Sequence, residues 1–235
     1  FMKKGILEFA SSFFYLFLGC VIEILIFNYF HFSNFLLKIV LVALGFALMF
    51  YFSYMYFNRR NNIEINPIFT FSLWLRNEIT IKQMIITILM QFMGAGVAGL
   101  VLHLLFNKYI TSLAIGYDEL NLANASLDSI ILIEFLLSSI FVFCFLITKK
   151  KKWSTKFISL FLSIIFFLLL VFSIPYTGGS VNPCRSVVAN IYVNSDCLRQ
   201  IWIYILSSFG GSVFATIIHH IYTQITNKVS LHHFL

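Results

Sequence analysis

Charge is scarce in this chain. Lys, Arg, Asp and Glu make up 11% of its 235 residues, against about 25% in a soluble domain. That is too little to coat a water-exposed surface, which argues against a soluble globular fold. Acidic residues are scarcer still: 9 Asp and Glu stand against 16 Lys and Arg, for a formal net charge of +7. A nucleic-acid binder would gather such an excess on one face of a soluble fold. Here the basic residues lie between apolar blocks, so no nucleic-acid partner is expected. The four cysteines, Cys20, Cys144, Cys184 and Cys197, form no CxxC pair. Neither a disulfide framework nor a metal site is expected from them, and no cofactor motif is present. None of the six histidines completes an HExxH or a similar constellation, so no enzyme is expected. Proline occurs three times, and two of the three follow Asn, at Asn66-Pro67 and Asn182-Pro183.

What is abundant is apolar. Hydrophobic residues reach 60%, 29 of them Phe, and mean hydropathy is +0.92. Six blocks, roughly 6–27, 36–57, 83–106, 129–148, 157–174 and 201–223, are each long enough to cross about 30 Å of hydrocarbon as a helix. The first carries Glu8 and Glu23 and no small-residue cleavage site, so it reads as a span and not as a cleaved leader. Two further segments, 67–75 (PIFTFSLWL) and 183–191 (PCRSVVANI), are too short to span. Asn is a good helix cap and Pro a good first helical residue, so both read as half-helices. Six spans put both termini on one side. That side collects 12 of the 16 Lys and Arg, which predicts cytoplasmic termini. The 107–128 connection, with Asp118, Glu119 and the sequon Asn124-Ala125-Ser126, is then external.

The chain repeats itself. Asn66-Pro67 recurs as Asn182-Pro183, and a glycine follows each Asn by 28 residues, at Gly94 and Gly210. Glu8-x-x-x-Ser12 opens the first half and Glu134-x-x-x-Ser138 the second. The expected organisation is a first repeat over 5–107, an extracellular connection over 108–128, a second repeat over 129–225 and a cytoplasmic tail over 226–235. Three spans per half insert the second half upside down. The half-helices then enter from opposite faces and meet near the middle, where inverted-repeat transporters place their substrate path.

Over about residues 5–225 the sequence resembles the aquaporins, or major intrinsic proteins. The stretch Thr177-Gly178-Gly179-Ser180-Val181-Asn182-Pro183-Cys184-Arg185-Ser186 is similar to the second family signature, with Cys184 where Ala is usual. Asn66-Pro67-Ile68-Phe69-Thr70-Phe71 resembles the first, with Ile68 for Ala, and Gln91 with Gly94-Ala95 matches the third helix. The resemblance implies an all-α membrane fold of six transmembrane helices plus two re-entrant half-helices in an inverted repeat. It also implies a homotetramer with one pore per subunit, in contact with membrane lipid.

A half-helix N-terminus carries about +0.5 elementary charge and unpaired N–H groups. Two such ends facing each other repel cations and admit water. The resemblance implies that Asn66 and Asn182 line this pore midplane as well as capping their helices, with Ile68 and Cys184 beside them. It places the selectivity constriction on Phe46, Leu170, Gly179 and Arg185, and makes Glu8 and Glu134 the carboxylates that support the re-entrant loops. Leu170 and Gly179 match neither the usual water-type nor the usual glycerol-type pattern, while Ser186 and Tyr204 favour the water type. The expected cargo is therefore water, with glycerol or other small neutral solutes as the alternative and a closed structural homologue as a third reading. The expected location is the plasma membrane.

Overall fold

The structure, a computed structural model, describes residues 2–59, 62–113, 126–151, 153–192 and 197–232, with side chains described through 226. Helix α1 runs Met2–Asn28, α2 Phe35–Phe57, α3 Pro67–Leu75 and α4 Ile81–Phe106, continued by a 3-10 turn at Asn107–Leu113. Then follow α5 Leu127–Lys150, α6 Thr155–Thr177, α7 Pro183–Asn190 and α8 Cys197–His232. Six of these helices are long and apolar enough to cross a membrane. The nine residues of α3 and eight of α7 cover about 12–14 Å at 1.5 Å per residue, less than half the hydrocarbon thickness.

Local chemistry sets the ends. Asn34, Ser126 and Ser154 each accept a hydrogen bond from the backbone N–H three residues on, satisfying a donor left open at the helix start. Thr80 and Gln83 form a reciprocal capping box, so α4 begins two residues before the sequence block at 83. Helix α6 continues through Pro175 to Thr177, three residues beyond the expected 174, and ends on a left-handed cap at Gly178 (φ 74°). Helix α7 stops at Asn190, one short of the expected 191, and α8 begins at Cys197 and runs to His232, outside the expected 201–223. Asn61, Asn124 and most of the 107–128 connection, like the last three residues, lie outside the described residues.

The helices pack as two related halves. Helix α1 packs on α4 and α2 in the first, and α5 on α8 and α6 in the second. Glycine permits the tight crossing in each. A Cβ on Gly94 would lie 2.3 Å from the Phe9 carbonyl oxygen, and one on Gly211 would lie 2.4 Å from that of Phe135. Phe9 and Phe135 directly follow Glu8 and Glu134, the glutamates that open the two halves. The structural counterpart of Gly94 is thus Gly211, not Gly210, whose added Cβ would meet only the Phe135 ring at 3.4 Å. The constant spacing of 28 therefore breaks by one residue: the second half carries one extra position between its Asn-Pro and the crossing.

Candidate functional site

The tips of α3 and α7 meet at the centre of the molecule. Asn66 caps α3 with its Oδ1, which accepts from the Ile68 N–H at 3.1 Å, and Asn182 accepts from the Cys184 N–H at 2.9 Å. These are equivalent bonds on equivalent helices. The Asn66 side chain also donates across to the Val181 carbonyl at 3.0 Å, so one of its two N–H donors is spent on joining the halves. Ile68 and Cys184 are fully buried, and Ser212 of α8 donates to the Ile68 carbonyl at 2.8 Å.

The residue before each Asn is strained. Ile65 (φ 64°) and Val181 (φ 48°) are both left-handed, a conformation that β-branched side chains avoid. Buried carboxylates hold them there. Glu8 accepts from the Glu64 and Ile65 N–H groups at 2.7 and 2.9 Å and from Gln91 at 2.8 Å. Glu134 accepts from Ser180 and Val181 N–H at 3.3 and 3.0 Å and from the Thr177 hydroxyl at 2.6 Å. Non-helical backbone inside a membrane protein leaves its donors without water, so each must find such a partner.

The four residues assigned to the constriction lie together. The Arg185 guanidinium sits over the Phe46 ring, 4.6 Å from its centroid, and donates to the Gly178 carbonyl at 2.9 Å. A Cβ on Gly179 would lie 3.2 Å from Leu170 and 2.6 Å from Ile174. Together with its φ of 73°, this requires glycine there for backbone and space alike. Tyr204 donates to the Thr177 carbonyl at 3.1 Å, and the Ser186 and Ser180 hydroxyls hydrogen-bond each other.

A family model described as "Major intrinsic protein" matches residues 1–219. The chain belongs to the major intrinsic protein family. Aquaporin Z of Photorhabdus laumondii is 28% identical over 64% of this chain and 68% of its own length. Glycerol uptake facilitator protein-like 6 of Lactiplantibacillus plantarum is 22% identical over 91% of this chain and 95% of its own. Among solved structures, the aquaglyceroporin from Plasmodium falciparum superposes with a TM-score of 0.82 at 17% identity, covering 96% of this chain and 98% of that one. An FNT family ion channel gives 0.63 at 13% identity over 96% and 90%. At these identities the two structures bear on the fold alone. The major intrinsic proteins are passive membrane channels for water or small solutes such as glycerol, and this member is an integral multi-pass membrane protein.

Two features of this major intrinsic protein escaped the sequence reading. One is Glu23 on α1, buried, with its carboxylate 3.4–3.5 Å from the Arg185 guanidinium. Its signal was present: an acid inside an apolar span is costly without a partner. The other is a run of aromatic rings. Phe69 on α3 stacks on Phe145 at 4.1 Å and tilts against Phe141 at 4.7 Å. Phe141 stacks on Phe166 at 5.2 Å, and Phe50 meets both. These five rings are at most 1% exposed. They lead from the buried tips to a cavity of about 380 Å³ at the basic end, lined by Tyr54, Asn58 and Lys149 among others, where the Tyr54 ring stacks on Phe50 at 5.6 Å. Helical spacing was the available clue: Phe50 lies one turn from Phe46, Phe166 one turn from Leu170, and Phe141 two turns from Glu134.

Proposed function

We propose that this chain forms a transmembrane channel for passive, osmotically driven water transport that excludes protons and ions. The observation that carries the reading is the meeting of two capped half-helix N-termini, with buried Arg185 seven residues past the α6 cap. In this reading Asn66 and Asn182, with Ile68 and Cys184, line the pore midplane. Their positive helix ends repel hydronium, and the free amide donors turn each passing water. Phe46, Leu170, Gly179 and Arg185 form the constriction, and Glu8 and Glu134 hold the loops. Residues 5–107 and 129–225 act as the two repeats.

A second reading, a channel for glycerol or other small neutral solutes, draws support from Leu170 and Gly179, which offer no polar side chain opposite Arg185, and from the glycerol-facilitator relative. A third, a closed homologue, draws support from the buried rings below the midplane. Stopped-flow light scattering on proteoliposomes, with an impermeant osmolyte and glycerol run side by side, separates the three. Fast shrinkage with slow glycerol re-entry supports the water channel. Fast re-entry as well supports the glycerol reading. Neither signal above empty liposomes overturns the channel.

The same reading places the protein in the plasma membrane as a homotetramer surrounded by lipid, with both termini cytoplasmic. The excess of Lys and Arg at the end that carries the termini supports that orientation. Labelling of a cysteine introduced in the 107–128 connection, from outside intact cells, tests it.

A further inference from the structure

Arg185 and Glu23 come from opposite halves of the chain, 162 residues apart. Both side chains are buried, 1% and 9% exposed. The geometry around them is built to keep them together. Gly19 lies one turn before Glu23 on α1, and a Cβ there would sit 2.5 Å from the Phe46 ring. The missing side chain lets Phe46 lie between α1 and α7, and the guanidinium rests on that ring at 4.6 Å. One guanidinium nitrogen is taken by the Gly178 carbonyl, a second by the Glu23 carboxylate, and the third, Nε, has no partner among the described residues. A lone guanidinium at a narrow point is a positive gate. One paired with a carboxylate forms a neutral pair, and the buried Nε is left as a donor without a protein partner among the described residues.

We propose that Glu23 is a specificity-determining residue of the constriction: as fixed counter-ion it holds Arg185 over the Phe46 ring, and it makes the passage a neutral filter for small uncharged solutes that accept hydrogen bonds. This rests on the channel reading above. Three consequences follow from the charges. Removing Arg185 alone leaves a carboxylate without its partner in the passage, which attracts cations. Removing both leaves a neutral passage. Removing Glu23 alone frees the guanidinium from the α1 wall and lets it swing inward, which narrows the passage.

The test compares wild type, Glu23→Gln, Glu23→Asp, Arg185→Val and the double variant Glu23→Gln/Arg185→Val in proteoliposomes. Water and glycerol permeability are measured together with methylammonium uptake. Arg185→Val is expected to raise methylammonium uptake about tenfold, equivalent to a barrier lower by about 1.4 kcal/mol. The double variant is expected to return to the wild-type level. Equal uptake in Arg185→Val and the double variant, or a rise in neither, overturns the proposal. Should Arg185→Val fail to fold, Glu23→Gln decides: a fall in water permeability that Glu23→Asp restores supports the proposal, and an unchanged permeability overturns it. A wild type that passes neither water nor glycerol is a different failure, seen without any variant. It removes the channel reading and this inference with it.

Discussion

Phe69 stands where the α3 tip meets the aromatic run, stacked at 4.1 Å on Phe145 and tilted against Phe141. Rings packed this closely leave no room for a water molecule between them, so flux along this line requires a ring to move. Replacing Phe69 by Val removes the stacking partner while keeping an apolar side chain. Phe69→Val is expected to raise water permeability several-fold in stopped-flow measurements on proteoliposomes. An unchanged or lower rate would take the rings off the water path. Glu134 gives a second prediction at this scale, read in stability. Its two oxygens serve two backbone N–H groups and the Thr177 hydroxyl. Gln offers one acceptor oxygen and turns an N–H₂ toward the remaining donors. Each buried donor left unpaired costs about 1–3 kcal/mol. Glu134→Gln should therefore lower the thermal unfolding midpoint in detergent. A midpoint within error of wild type would show that the loop does not depend on that carboxylate.

At the scale of the elements, one helix crossing in each half, α1 on α4 and α5 on α8, sets a glycine against a carbonyl. Gly211 faces the Phe135 carbonyl, while its neighbour Gly210 faces only the edge of a ring. The two positions should respond oppositely to the same change. Gly211→Ala drives a methyl into backbone that cannot yield, an overpacking cost of about 1–3 kcal/mol. Gly210→Ala gains helix propensity of up to about 1 kcal/mol and meets no obstacle. The fraction of monodisperse protein and its unfolding midpoint should fall for the first and hold or rise for the second. The reverse order would contradict the alignment of Gly211 with Gly94. The half-helices follow the same logic of local chemistry and distant support. Their starts come from Asn-Pro, but the strained residue before each Asn is held by a carboxylate on α1 or α5, 57 and 47 positions away.

At the scale of the whole molecule, large apolar side chains such as Leu89, Leu104, Leu168 and Leu206 are more than half exposed on the outer faces of α4, α6 and α8. Water does not cover such a surface; lipid or other subunits do. The proposed homotetramer is expected to give, by native mass spectrometry from detergent, a mass of four chains of 27.2 kDa. A monomer in every mild detergent tried would overturn it, while leaving the pore within one subunit untouched.

Features that depend only on neighbours along the chain were legible from the residues alone. Runs of apolar residues long enough to cross hydrocarbon marked the six spans, and Asn-Pro marked the two half-helices, because length and capping are local quantities. The paired glutamates, Glu8 and Glu134, were legible from their repetition. The tertiary structure decided what depends on approach. Glu23 meets Arg185 only once α1 and α7 are brought together, and no spacing rule links positions 162 apart. The Phe rings form one run only because α2, α3, α5 and α6 aim them at a common line; in the sequence they are scattered among 29 Phe. Gly211 replaced Gly210 as the crossing residue because a single extra position rotates a helix by about 100° and changes which face meets its neighbour.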